Sequence, residues 1–185
     1  PSGCVHAAKN GISGYFNRHG SNGDVIQIAK DSAAQGTISV SGGTVSYNAF
    51  MGSHYTETTG SDPELGTVME FIDGLVENKY ADQKRLPKAK VSDTAESTKV
   101  YGVYISDSDD DTGELVAGLG ASWCRIHKDE TVAIGDLLVS KGDGTAKVQS
   151  DDIIRSKTIG KVTSTTKKVT YSDDSYVLSV VLYCG

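Results

Sequence analysis

The chain has 185 residues, enough for one sizeable core or at most two small domains, and 21 of them are Gly while only 3 are Pro. Apolar residues make up 37% and charged residues 23%, with no long block of one sign, which argues against a disordered chain. The net charge of −6 speaks against nonspecific binding to nucleic acid or anionic lipid, and no run approaches the ~18 apolar residues of a membrane helix.

Period-2 alternation of apolar side chains dominates, with no helical stripe longer than two turns, so the expected class is mainly β. The first part reads as strands over Ile12–Asn17, Asp24–Lys30, Gly36–Ser41 and Thr44–Asn48. Turn chemistry separates them: His19-Gly20-Ser21-Asn22-Gly23, Lys30-Asp31-Ser32 and Ser41-Gly42-Gly43. These strands carry too few large side chains to close a core alone, so residues 1–50 are expected to borrow a surface, most simply from copies of themselves. Ile26, Ile28, Ile38 and Val40 alternate with polar residues and are the expected homotrimer interface. The segment holds three basic and two acidic residues, whereas the rest holds fifteen and twenty-two. The chain opens on Pro1 and not on Met, as expected of a fragment or a processed product.

Residues 51–66, with Gly52, Gly60, Pro63 and Gly66, lack periodicity and read as a linker. Strands then resume at Thr67–Ile72, Val100–Ser106, Leu115–Ile126, Asp136–Ser140, Ala146–Val148, Thr158–Thr163 and Tyr176–Cys184. Seven short strands with turns between them predict a compact β-barrel or sandwich head over residues 67–185. Residues 75–92 are the exception, longer and more polar, and read as a surface loop with one helical turn over Val76–Asp82.

Motifs for chemistry are sparse. Asp107-Ser108-Asp109-Asp110-Asp111-Thr112-Gly113-Glu114 resembles a calcium loop in its alternating carboxylates, but its glycine falls at position seven and Gly118 replaces the twelfth-position Glu. It reads as a solvated acidic hairpin tip, and no metal or other cofactor is expected. Ser53-His54 is the one nucleophile–base adjacency, yet neighbours in extended backbone point apart. His6, His19 and His127 stand apart in polar or turn surroundings. Cys4, Cys124 and Cys184 form neither a zinc spacing nor a C-x-x-C pair; reduced thiols are expected, with a Cys124–Cys184 disulfide left open. The basic run Lys84–Lys90 lacks the aromatic platforms of a nucleic-acid site, apart from Tyr80, and reads as a solvated or salt-bridging loop. Tyr80, Lys84 and Arg85 together are the candidate binding residues, an aromatic platform beside charged donors suited to sugar rings. Tyr101, Tyr104, Tyr176 and Tyr183 lie inside apolar strands and are expected to pack, whereas Tyr15, Tyr47, Tyr55 and Tyr171 lie at edges or turns.

The run Gly14-Tyr15-Phe16-Asn17-Arg18, then Asn22-Gly23-Asp24-Val25-Ile26-Gln27-Ile28-Ala29-Lys30-Asp31 and Gly36-Thr37-Ile38-Ser39-Val40, resembles the β-prism segment near the C-termini of tailed-bacteriophage tail fibres and tail spikes. The blocks Leu86–Asp93, Val100-Tyr101-Gly102-Val103, Ile134–Leu138 and Leu182–Gly185 resemble more loosely the variable C-terminal heads of such proteins. The resemblance implies a homotrimeric virion tail protein, assembled in the host cytoplasm, joined to other tail proteins and attaching to a saccharide or protein receptor on the host surface. The net charge, the lack of a long apolar run and the sparse motifs leave no enzyme, nucleic-acid partner or membrane insertion expected. Two alternatives accompany the resemblance: a virion structural component with no receptor, and a self-cleaving intramolecular chaperone of the endosialidase type. Ser53, directly after Gly52, would take the cleavage position in the latter. Glu57 or Thr58 stands where that family has its assisting Lys, and no long helical region follows.

Overall fold

The computed structural model describes residues 6–59, 62–76, 86–107 and 113–184. They divide into two compact units, residues 1–50 and 51–185. Among the described residues every regular element is a strand.

The first unit is an antiparallel meander of β1 (Gly23–Lys30), β2 (Ala33–Ser41) and β3 (Thr44–Asn48). Both hairpins close in two residues, with Lys30 paired to Ala33 and Ser41 to Thr44. Such loops need positive φ at both central positions. Asp31 and Ser32 adopt φ of 51° and 66°, and Gly42 and Gly43 adopt 53° and 84°. Residues 12–17, expected as a strand, are not one: their alternation is present but no neighbouring strand supplies a ladder. Ile12, Tyr15 and Phe16 are left exposed. No described residue of this unit is buried.

The second unit begins with β4 (Met51–Thr59), which corrects the linker reading over residues 51–59; residues 62–66 carry no strand. Gly52 and the polar run after it hide the strand, yet Tyr55 and the adjacent Thr56, which point to opposite faces, are both buried. There follow β5 (Val68–Leu75), β6 (Pro87–Val91), β7 (Val100–Asp107), β8 (Glu114–Ile126), β9 (Leu137–Ser140), β10 (Ala146–Val148), β11 (Thr158–Ser164) and β12 (Tyr176–Leu182). Strand β6 corrects the loop reading over residues 87–91, while residues 77–85 of that stretch lie outside the described residues. It lies between β4, to which it is parallel, and β5, to which it is antiparallel. The helical turn expected at residues 76–82 lies, from residue 77 on, outside the described residues.

The strand order is β10-β9-β11-β12-β8-β4-β6-β5-β7, with further β7–β8 and β8–β10 pairings. The sheet therefore closes on itself twice through the thirteen-residue β8, giving the circuits β8-β4-β6-β5-β7 and β8-β12-β11-β9-β10. Closure removes open edges, the usual liability of a sheet. Where the circuits meet, strands are buried on both faces. Val68, Val103 and Ala117 join a core with Ile126, Leu138, Ile159 and Leu178, while their neighbours Met69, Tyr104 and Val116 join a second core with Ala89 and Tyr101. Strands β7 and β8 approach so closely that a Cβ on Gly102 would lie 2.0 Å from the Ala117 carbonyl oxygen.

Candidate functional site

Register sorts the first unit into two unlike faces. Ile26 pairs with Ile38 and Ile38 with Tyr47, Val40 pairs with Val45, and Ile28 faces Gly36. Paired residues point the same way, so these side chains form one apolar face. Ile28, Val45 and Tyr47 are 58%, 60% and 66% exposed, and Ile26, Ile38 and Val40 half-buried. The opposite face carries Gln27, Thr37, Ser39, Ser46 and Asn48. There the Asn48 side-chain amide donates to Thr37 Oγ1 at 2.8 Å and Ser39 Oγ at 3.0 Å. A face that makes its own hydrogen bonds suits water, whereas a bare isoleucine–valine–tyrosine face is favoured only when covered. The four residues expected at a homotrimer interface, Ile26, Ile28, Ile38 and Val40, lie together on the apolar face.

The other expected positions are scattered. Tyr80, Lys84 and Arg85 lie outside the described residues, as do residues 108–112 of the acidic tip and Cys4. At the tip's base, Tyr104 donates to Asp107 Oδ1 at 2.8 Å, and burial together with this carboxylate pushes the phenol well above its ordinary range. Thr58 donates to Glu114 across the β4–β8 ladder. Ser53 and His54 are paired with Ala117 and Val116 and project from opposite faces of β4, so they do not form a nucleophile–base pair; a register shift sits between Gly52 and Ser53. Among the described residues no group of His, Cys, Asp and Glu could hold a metal.

His127 stands 3.7 Å from both Asp129 and Asp143. Cys124 and Cys184 are free, buried thiols; burial pushes Cys184 up to about 12 and Cys124 higher still, leaving both unreactive. Tyr101, Tyr104 and Tyr176 are buried as expected and Tyr183 is half-buried, while Tyr55, expected at an edge, is buried too because β4 is an internal strand.

Lys88 and Lys90, expected in a loop, project from β6 to Glu57 at 3.0 Å and Glu70 at 3.4 Å. Lys90 also bonds Asp93, which raises the lysine and lowers the carboxyl from their ordinary values. Glu70 is 2% exposed and accepts from Ser92 at 3.0 Å, and Ser92 meets Ser140 at 2.7 Å, so a buried polar chain ties the two circuits together. Nothing in the local pattern of β5 marks Glu70 as internal.

No protein-family model matches the chain, and no curated protein matches it.

Proposed function

We propose that this chain is the distal part of a trimeric tail fibre or tail spike of a tailed bacteriophage. In this reading residues 1–50 form one side of an intertwined β-prism-like shaft, and residues 51–185 form the head that meets the host surface. The observation that carries the reading is the apolar face of Ile26, Ile28, Ile38, Val40, Val45 and Tyr47 on a sheet with no buried residue of its own. A sheet of this kind gains stability by association, and three copies closing on one axis cover all three faces. The sequence resemblance to tail-fibre prism segments supports the same arrangement.

Attachment then works by avidity: three weak contacts to a surface saccharide or protein, held on one stem, bind far more tightly than one. Loops carry the contact, since they can vary while strands stay fixed. Tyr80, Lys84 and Arg85, and the acidic tip between β7 and β8, are the contact candidates.

Light scattering at micromolar concentration tests the assembly. The expected mass is three times 19.5 kDa, and a particle of 19.5 kDa overturns the proposal. Replacing Tyr80, Lys84 and Arg85 together by Ala should leave that mass intact and reduce adsorption of the fragment to susceptible cells; unaltered adsorption removes this loop from the contact.

A further inference from the structure

Charge is sorted unevenly over the second unit. Residues 51–185 hold fifteen basic and twenty-two acidic side chains, yet residues 115–128, 153–172 and 175–185 contain seven Lys or Arg and no Asp or Glu. Those stretches supply β8 beyond its first residue, β12 and β11, three strands side by side in the sheet. On their outer side stand Trp123 of β8, Ser179 of β12, which is paired with it, and Lys161 and Thr163 of β11, while Cys124, Val162 and Val180 point inward and are buried. Thr163 Oγ1 and Ser179 Oγ share a hydrogen bond of 2.8 Å. The Lys168 ammonium lies 4.5 Å over the Trp123 ring, an attraction that holds the charge in one place. Arg125, Arg155 and Lys157 are answered by Asp173, Asp151 and Glu96, but Lys161 and Lys168 meet no carboxylate among the described residues. Lys161 is paired with Val181 and Val181 with Ala121, two residues from Trp123. Two strand spacings and two residues of rise therefore set Lys161 about 12 Å from Trp123.

We infer that this face of β8, β12 and β11 binds an anionic saccharide, a chain of sugar rings bearing carboxylate or phosphate groups. Two uncompensated cations, set apart on a face without carboxylates, complement anionic groups spaced along such a chain. Between them the Thr163–Ser179 hydroxyl pair offers donors and acceptors to ring hydroxyls. The half-buried indole offers an apolar body to the C–H face of a sugar. A nucleic-acid strand needs a groove of cations tracking its backbone together with several stacking rings. An acidic peptide adds to a sheet through a free strand edge, and β8, β12 and β11 are each hydrogen-bonded on both sides. The face lies within one unit and requires no second copy; only its use in host attachment rests on the reading above.

Trp123 is the only tryptophan of the chain and stands in the face, so its emission reports the ligand directly. The full chain is titrated at low salt with an oligogalacturonate, the same oligomer methyl-esterified, a phosphorylated oligomannoside, an oligothymidylate and an oligoglutamate. A saturable change in Trp123 emission is expected with an acidic saccharide, the tighter of the two naming the anion, and none with the neutral ester. Added salt should weaken the binding several-fold. Lys161→Gln and Lys168→Gln, which break no ion pair, should each weaken it several-fold. Lys99→Gln makes the same change of charge beside β5, in the other circuit, and should leave it unchanged. No saturable change with either acidic saccharide, an equal response to the ester, or an equal loss in Lys99→Gln overturns the inference. Tighter binding of the oligothymidylate or the oligoglutamate overturns it in favour of a nucleic acid or a peptide. Light scattering on the same samples keeps the two readings apart: a chain of 19.5 kDa that still binds retains this face and removes the trimer, and a trimer that binds neither saccharide does the reverse.

Discussion

The two units are built from the same kind of strand and end in opposite conditions. Residues 51–185 close their sheet twice through β8 and bury Met69, Ile126, Leu138, Ile159 and Leu178 almost completely. The first unit makes a regular three-stranded meander with well-formed turns, yet none of its described residues is fully buried. Alternation and turn chemistry therefore suffice to make a sheet, and closure or company is what makes a core. A stable isolated hairpin is already marginal in water, and a third strand helps only when one face is covered.

The contrast can be broken from either side. The largest effect is expected from Gly102→Val. Its side chain would collide with the Ala117 carbonyl where β7 meets β8, at a cost above about 3 kcal/mol. The head should lose its cooperative thermal transition by circular dichroism, and a melting point unchanged from the parent would show that the two strands can separate. Ile28→Asp should come next. It places a carboxylate on the apolar face, and burying that charge unpaired costs several kcal/mol. Dilution should then melt residues 1–50 while the head transition stays in place; a variant as large and heat-resistant as its parent refutes the face.

Smaller changes sharpen the comparison. Asn48→Ala removes two hydrogen bonds from the solvent face of the first unit and should cost no more than about 1 kcal/mol, read as a small shift in its melting. A larger loss than that of Ile28→Asp would reverse the assignment of the two faces. The smallest effect concerns acid. Hydrogen bonds from Lys157 and then Lys147 hold Glu96 below the usual carboxylate range, the backbone N–H of Ile153 does so for Asp151, and Ser175 for Asp173. A carboxyl with a depressed folded value stabilises fully above its unfolded value, and that contribution vanishes as pH falls through the folded one. Head stability in urea should therefore decline between about pH 5 and pH 2, and Glu96→Gln should flatten part of the slope. An identical slope in the variant would assign Glu96 no share.

Much of this architecture could be read from the residues. Strands β1, β3, β7, β8 and β12 follow their apolar alternation closely because one face of each, or both, needs isoleucine, valine or leucine. β6 escaped because Lys88 and Lys90 surround the single buried Ala89, and because Pro87 is tolerated at the first position of a strand. β4 escaped because the side chains it buries include Thr56, whose hydroxyl meets that of Tyr101 at 3.1 Å. Residues 12–17 erred the other way, for alternation records a preference for a face and says nothing of whether a neighbour exists. As for the candidate site, the placing of Ile26, Ile28, Ile38 and Val40 on one face was legible from spacing alone, whereas Val45 and Tyr47 joined that face only once register set them opposite Val40 and Ile38.

Gly120 of β8 is flanked by Met51 on one side and Leu182 on the other. Two strand spacings, about 10 Å, therefore separate the points at which the backbone enters and leaves the second unit. A body whose two ends meet at one place can be spliced into a surface loop of an unrelated protein without prising either host or guest apart. It can equally be permuted, by joining residue 182 to residue 51 through a short bridge and opening the chain in an exposed loop such as Thr165-Thr166-Lys167.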